Sequence, residues 1–266
     1  MAKPTGIVAL LTDYGNQDAY AGILKGALLS VNPAARIVDL THEIPPQDVH
    51  EGGRVLSAAR PYFPTGTVFV AVVDPGVGTD RAILGVETDR HYFLAPDNGL
   101  LSFLDRGGKI RRIVRVTESR YFLKPVSRTF HGRDVFAPAA AYLAAGVPLE
   151  RLGAVAADPV LERIPGSRLE GEALVGEVLA VDRFGNLLTS IEAGRLAELA
   201  GDGPVAVEVS GQAVAGLVEA YADGGDGRPA AIIGSTGHIE IFVRGGSAGQ
   251  ALGVGRGAPV RIRKRG

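Results

Sequence analysis

The hydrophobic pattern of this chain changes near residue 165, and that change constrains the fold more than any other feature. In the first 150 residues, short apolar strands such as 6–12 and 67–73 alternate with helical segments such as 19–30. This alternation is typical of a mainly parallel sheet with helices on its faces. Later in the chain, short strands follow one another across glycine-rich turns, which is typical of a small antiparallel barrel or sandwich.

We therefore predict an α/β chain with two domains. Residues 1–160 are expected to form an N-terminal domain in which helices flank a mainly parallel sheet. Residues 170–266 are expected to form a smaller C-terminal antiparallel β-barrel domain. The segment 156–171 contains two prolines and several charges, and it is the predicted linker.

Local signals mark some helix boundaries in the first domain. Asp18 and Asp48 each precede apolar residues at helical spacing, so each is predicted to cap a helix. Shorter helices are predicted after Asn98 and after Arg133.

Composition excludes several classes of site. The chain has no Cys, which rules out disulfides, cysteine-ligated zinc, iron–sulfur clusters and thiol nucleophiles. Four of the five histidines (His42, His50, His91 and His238) lack the spacing of a metal site, so no metal is predicted. The formal net charge of −1 provides no basic surface for nucleic acid.

The apolar runs are short, which bears on location. None approaches the roughly 18 residues of a membrane span, and the N-terminus does not resemble a signal peptide. We therefore expect a cytoplasmic protein without membrane contact. Met, Asn and Gln are scarce while Arg, Ala and Pro are abundant, as in a thermophilic source or in a GC-rich genome.

Acidic residues follow several predicted strands of the first domain. Asp13, Asp74 and Asp97 all fall where a strand ends, and ligands bind beyond the carboxyl ends of strands in open α/β sheets. A single Asp beside Gly or Pro is usually a turn former. Three at one edge favour a binding site.

Two short motifs add chemistry to this edge. The turn Asp74-Pro-Gly-Val-Gly resembles the SAM-binding turn of Rossmann methyltransferases (SAM is S-adenosylmethionine), but Asp80 replaces its third glycine and the turn follows the third strand. His131 lies in Phe-His-Gly-Arg-Asp, where Gly132 allows another group to approach.

The second domain has two comparable turns. The segment 182–186 is either a hairpin turn or a site that presents a carboxylate, a ring face and an amide together. The segment 234–237 is either a turn or a pair of hydroxyls that can bind a carboxylate.

Taken together and in order, seven segments resemble one family, the SAM hydroxide adenosyltransferases, which are relatives of the SAM-dependent fluorinase and chlorinase. The segments are LTDYGNQDAY (11–20), THEIPPQDVHEGG (41–53), VFVAVVDPGVGTDR (68–81), FLAPDNGLLS (93–102), TFHGRD (129–134), DRFGNLLTS (182–190) and GSTGHIEI (234–241). The resemblance covers nearly the whole chain.

The resemblance implies an N-terminal α/β domain, a C-terminal β-barrel domain and a homotrimer with substrate sites at subunit interfaces. It also implies cleavage of SAM by water to adenosine and methionine, so SAM is a substrate and no cofactor is expected. The family's Asp, Arg and His triad, which the halogenases lack, corresponds to Asp74, Arg81 and His131.

The resemblance further assigns side chains to each part of the substrate. Asp13 is expected to bind both ribose hydroxyls, because one carboxylate can accept from both arms of a cis-diol. The other predicted contacts are Asp18 and Asp182 with the methionine ammonium, Ser235 with its carboxylate, and Phe184 and Asn186 with adenine.

Two positions depart from the halogenases. Gln47 stands where they have a Trp over the ribose, and Thr236 where they have an Arg beside the methionine carboxylate. A neutral Thr binds a carboxylate less strongly than an Arg does.

Three other functions compete with hydrolysis. They are halide-dependent adenosyl transfer, methyl transfer, and non-catalytic binding of adenosine or SAM. The triad argues against the first, and the reaction products distinguish all of them.

Overall fold

The computed structural model describes residues 3–104, 109–162, 166–201 and 203–265. The chain divides into two compact units, Met1–Arg163 and Ile164–Gly266. Among the described residues, no helix combines the length and the apolar character needed to cross a membrane.

The N-terminal unit contains a six-stranded sheet with the order β2-β1-β3-β5-β4-β6. Its strands are β1 Ile7–Thr12, β2 Arg36–Thr41, β3 Val68–Val72, β4 Ile83–Thr88, β5 Tyr92–Pro96 and β6 Ile110–Arg115. Strands β2, β1, β3 and β5 pair in parallel, whereas β4 pairs antiparallel with both β5 and β6.

The sheet is therefore mixed, and the prediction of a mainly parallel sheet was wrong. Only residues 89–91 join β4 to β5, and Thr88 N donates to His91 O at 2.9 Å. A link of this length makes a hairpin and cannot hold the crossover that parallel neighbours require. Strand β4 is buried throughout, like the parallel strand β3, so its hydrophobic pattern did not reveal its direction.

The described part of this unit has α-helices that accompany the sheet: α1 Tyr20–Val31, α2 Val49–Ala59 and α3 Ala137–Ala144. Asp48 caps α2 as predicted, because its Oδ1 accepts from Glu51 N at 3.0 Å. The predicted cap at Asp18 was wrong. The N-cap position of α1 is Ala19, so the Asp18 side chain lies one residue too early to reach the first free amides.

Helix α3 is buried on nearly every side and packs against α1, β1 and β3. Most of its residues are alanines, which allow neighbouring backbones to approach closely. The π-helical turn Gly132–Phe136 leads directly into α3, as predicted for a helix after Arg133. The short helix predicted after Asn98 falls partly on residues 105–108, which lie outside the described residues.

The C-terminal unit is a closed barrel, as predicted. Its strands are β7 Arg168–Glu170, β8 Ala173–Val181, β9 Leu187–Glu192, β10 Val205–Val209, β11 Gln212–Val218, β12 Pro229–Ile233, β13 His238–Val243 and β14 Pro259–Lys264. Strand β14 pairs with both β10 and β8, which closes β8 to β14 into a ring. Two helices, α4 Ala193–Ala200 and α5 Ala248–Leu252, accompany it.

Two details of this unit differ from the sequence prediction. Strands β11 and β12 pair in parallel, because the chain between them returns to the same end of the barrel. Strand β7 lies within the segment predicted as a linker, and it pairs antiparallel with β8. Its three residues are all exposed, so no hydrophobic pattern marked it as a strand.

The buried His91 makes the stability of the N-terminal unit depend on pH. Its ring is 2% exposed and contacts Phe69, with the ring centroids 5.2 Å apart. Burial, with the charges of Arg90 and Arg60, lowers the pKa of His91 to about 4. Between pH 6.5 and about 4 the unfolded state therefore binds more protons than the folded state. We expect unfolding free energy to fall by about 3 kcal/mol as pH drops through this window.

Urea unfolding at pH 7 and pH 4.5 measures this effect. His91→Phe keeps an aromatic ring in the core and should remove much of the pH dependence. His50→Phe is the matched control, because the side chain of His50 is 58% exposed, and it should retain the wild-type dependence. Equal pH dependence in His91→Phe and wild type would contradict the assignment.

Candidate active site

The three side chains of the predicted triad are in contact. Asp74 lies two residues after β3, Arg81 two residues before β4, and His131 just before the π-helical turn. Arg81 Nε donates to Asp74 Oδ1 at 2.9 Å and to Oδ2 at 2.8 Å, and Arg81 Nη2 also donates to Oδ2. Arg81 Nη2 lies 2.9 Å from His131 Nδ1. Arg81 therefore bridges the carboxylate and the imidazole.

This bridge determines the protonation of His131. A guanidinium can only donate hydrogen bonds, so Nδ1 must accept from Arg81 and the ring proton is assigned to Nε2. Burial and the charge of Arg81 lower the pKa of His131, against the opposing effect of Asp74. The imidazole is thus neutral near pH 7 and carries its N–H at Nε2.

The glycines between β3 and β4 allow the loop to fold back on itself. Gly78 has φ +80°, and a Cβ there would lie 2.4 Å from the Arg128 carbonyl oxygen. A Cβ on Gly76 would lie 3.3 Å from Arg81 Cγ. The turn that follows Asp74 therefore returns the chain to the Asp74 carboxylate, where Arg81 contacts it.

A cavity of about 410 Å³ lies beside the triad within the N-terminal unit. Asp13, Tyr14 and Asp74 line it together with residues of the segment 127–133, including His131. Asp13 Oδ2 accepts from the backbone N of Gln47 at 2.9 Å. Burial, with a further contribution from the charge of Asp74, raises the pKa of Asp13.

Gln47 contacts the cavity residue Asp13 through its backbone. It has φ +66°, an uncommon conformation for a residue other than glycine, and its amide points at Asp13. Asp18, which was expected to bind the substrate ammonium, is exposed and is not among the described residues that line the cavity.

In the C-terminal unit, the turn 182–186 joins β8 to β9. Asp182 Oδ1 accepts from the backbone amides of Phe184 at 2.8 Å and Asn186 at 2.9 Å, and Oδ2 accepts from Asn186 Nδ2 at 3.0 Å. Asp182 therefore holds the turn together, and one amide hydrogen of Asn186 is used inside it. Phe184 is 79% exposed, so its ring is presented on the surface of the unit.

The turn 234–237 closes with a hydrogen bond from Gly237 N to Gly234 O at 2.9 Å, and Ser235 is exposed on it. A charged residue that the sequence analysis missed lies against this turn. Glu240 is only 7% exposed and accepts from Tyr221 Oη at 2.9 Å. A Cβ on Gly234 would lie 1.9 Å from Glu240 Oε1. The signal in the sequence was a lone acid inside the apolar strand β13.

A buried network that the sequence analysis also missed supports the turn at Asp13. Thr12 Oγ1 accepts from Tyr14 N at 3.2 Å and lies 2.8 Å from His42 Nδ1. His42 Nε2 lies 3.2 Å from Asp39 Oδ1. No spacing rule connects these residues, because β1 and β2 bring them together by pairing in parallel.

Comparison with known proteins identifies the family of this chain. Residues 8–153 match the family described as the SAM hydroxide adenosyltransferase N-terminal domain, and residues 176–261 match the corresponding C-terminal domain. The chain belongs to the SAM hydroxide adenosyltransferase family. The family resemblance drawn from the seven sequence segments is thereby confirmed.

Individual members and relatives of the adenosyltransferase family are similar to this chain along nearly its whole length. It is 39% identical to an (R)-S-adenosyl-L-methionine hydrolase of Thermus thermophilus, covering 96% of this chain and 98% of the relative. It is 28% identical to a fluorinase of Actinoplanes, covering 90% and 91%. A crystal structure of an uncharacterized conserved protein from Thermotoga maritima is 37% identical, with a TM-score of 0.92, covering 97% of this chain and all of that one.

Gly185 is expected to be essential for the turn 182–186. It has φ +85°, and a Cβ there would lie 2.2 Å from Ser247 Oγ and 2.7 Å from Ser247 Cα. Gly185→Ala should therefore cost about 2 kcal/mol or more, since the contact includes backbone. Gly211→Ala is the control, because Gly211 has φ +77° with nothing within 4 Å of a Cβ. Urea unfolding that shows equal losses for the two variants would contradict the steric argument.

Proposed function

We propose that this protein hydrolyses SAM at the ribose 5′ carbon to give adenosine and L-methionine. The observation that carries the proposal is the contact of Asp74, Arg81 and His131 beside a cavity. It is supported by nearly full-length similarity to a relative named as a SAM hydrolase. SAM is then the substrate, and we propose no cofactor.

The reaction is a displacement in which water is the nucleophile. The water oxygen bonds to the 5′ carbon while the carbon–sulfur bond breaks. The electron pair of the carbon–sulfur bond goes to sulfur. The leaving group is a neutral thioether that departs from a sulfonium, so it needs no general acid. The water must lose one proton, which is difficult because free water has a pKa of about 15.7.

Each member of the triad has a separate role in our proposal. Asp74 accepts a hydrogen bond from the water and takes its proton as attack proceeds. Arg81 is permanently protonated, so it cannot be the base, and its hydrogen bonds hold the Asp74 carboxylate in one orientation. His131 donates a hydrogen bond from Nε2–H to the water and so fixes the position of the water. Holding the water in line, about 3–3.5 Å from the carbon, contributes several kcal/mol.

The remaining assignments stay predictions. Asp13 lies beside Asp74 at the cavity, which is consistent with a ribose contact. The contacts of Asp18, Asp182, Phe184, Asn186 and Ser235 with the rest of the substrate follow from the family resemblance alone. The homotrimer with substrate sites at subunit interfaces, the cytoplasmic location and the thermophilic source likewise stay predictions.

Removing the charge of Asp74 tests the proposed base. Asp74→Asn should lower the rate of adenosine formation at least 100-fold, because the amide cannot take the proton. SAM binding should remain detectable by calorimetry. Asp89→Asn makes the same change at a surface carboxylate paired with Arg111, and it should keep wild-type activity.

Chromatography of the products, with and without halide, separates the competing functions. Adenosine and methionine in both buffers support hydrolysis. A 5′-halogenated adenosine would indicate halide-dependent transfer, and S-adenosylhomocysteine would indicate methyl transfer. Bound nucleoside without turnover would indicate a binding protein.

Unchanged turnover in Asp74→Asn would contradict the assignment of Asp74 as the base.

The neutral state of His131 predicts a particular dependence on pH. Protonation of Nδ1 would place an N–H against Arg81 Nη2, where two donors repel, and burial together with the charge of Arg81 lowers the pKa of His131. We expect His131 to titrate below pH 6.5 and kcat to fall as pH drops through this lowered pKa. Proton NMR of the ring, assigned with His131→Asn, measures the titration. A pKa above 6.5 would contradict the bridge.

A further inference from the structure

Tyr14 lines the cavity beside the triad, but none of the roles above uses it. Its ring packs edge-on against Phe130, with centroids 5.8 Å apart, and lies tilted against Tyr20, with centroids 6.1 Å apart. Its backbone amide donates to Thr12 Oγ1 at 3.2 Å, and the His42 network lies beneath that hydroxyl. Tyr14 is therefore held from both its ring and its backbone.

The position of the Tyr14 hydroxyl is defined by Gly132. A Cβ on Gly132 would lie 2.3 Å from Tyr14 Oη and 3.3 Å from Tyr14 Cζ. Gly132 directly follows His131 and both line the cavity, so the hydroxyl lies against the segment that carries His131. Only glycine leaves room for the hydroxyl there, which gives this residue of the Phe-His-Gly-Arg-Asp motif a steric purpose.

The hydroxyl is both protonated and available. Burial and the negative charges of Asp13 and Asp74 raise the pKa of Tyr14, with Arg81 opposing them, so the phenol keeps its proton at every working pH. Oη makes no hydrogen bond with any of the described residues. Tyr14 is half-buried and lines the cavity, so a molecule bound in the cavity can be the partner of this hydroxyl.

We propose that Tyr14 is a fourth catalytic residue, whose phenolic hydroxyl hydrogen-bonds the attacking water. This inference rests on the proposed hydrolysis. Asp74 accepts from the water, and the Nε2–H of His131 donates to it. Because the second lone pair attacks carbon, the oxygen of Tyr14 accepts the water's second O–H and so completes the water's hydrogen bonds.

Tyr14→Phe tests the proposal, because it removes the hydroxyl and leaves the ring contacts in place. We expect kcat for adenosine formation to fall about 10- to 100-fold while KM for SAM changes less than about threefold. Tyr121→Phe is the matched control. Tyr121 also packs edge-on against another ring, Tyr142 at 5.0 Å, and lies outside the described cavity lining. It should keep wild-type kcat.

The outcomes separate this inference from the function on which it rests. If wild-type protein forms no adenosine, the proposed hydrolysis fails and the role of Tyr14 fails with it. If wild type is active and Tyr14→Phe keeps its kcat, only the inference is overturned. A raised KM with unchanged kcat would place the hydroxyl on the substrate rather than on the water, and would also overturn it.

Gly132→Ala provides an independent test of the same contact. In the wild-type background the new methyl group displaces the hydroxyl, so kcat should fall at least as far as in Tyr14→Phe. In the Tyr14→Phe background the same change should cost clearly less, because the colliding oxygen is absent. Circular dichroism confirms that each variant is folded. Equal losses in the two backgrounds would show that the hydroxyl does not lie against Gly132.

Discussion

The bridge that Arg81 makes between Asp74 and His131 is the interaction on which the rest of the site depends. The side chains of Arg81 and Asp74 are only 10% and 5% exposed, so both charges are largely removed from water. Their hydrogen bonds offset that cost, and loss of either partner would leave a buried charge uncompensated. The same guanidinium sets the tautomer of His131, because it can only donate.

This arrangement explains how the site can work without a strong base. The Asp74 carboxylate is held in one orientation by Arg81, and His131 is kept neutral with its free N–H on the far side of the ring from Arg81. The groups are organised before the substrate arrives, so little reorganisation is needed during attack. In the proposed hydrolysis, positioning of the water is therefore the main contribution of these residues.

Tight turns provide most of the functional geometry, and glycines serve different purposes in them. Gly78 and Gly185 combine a positive φ with a close approach to another backbone, so their flexibility and their small size are both needed. Gly132 lies in the π-helical turn without a positive φ, and its small size alone matters because it makes room for a phenol. The composition gives only the number of glycines, whereas the atoms around each glycine show which purpose it serves.

The sequence alone determined the change from an α/β pattern to a barrel pattern and the cap at Asp48, because these features depend on local periodicity and on residues close in the chain. The grouping of Asp74, Arg81 and His131 followed from the family resemblance, since periodicity did not link His131 to Asp74. Only the tertiary structure decided the direction of β4, the absence of a cap at Asp18, the tautomer of His131 and the placement of Tyr14 Oη against Gly132. Each of these depends on the distance between atoms, often from residues far apart in the chain, which hydrophobic pattern does not encode.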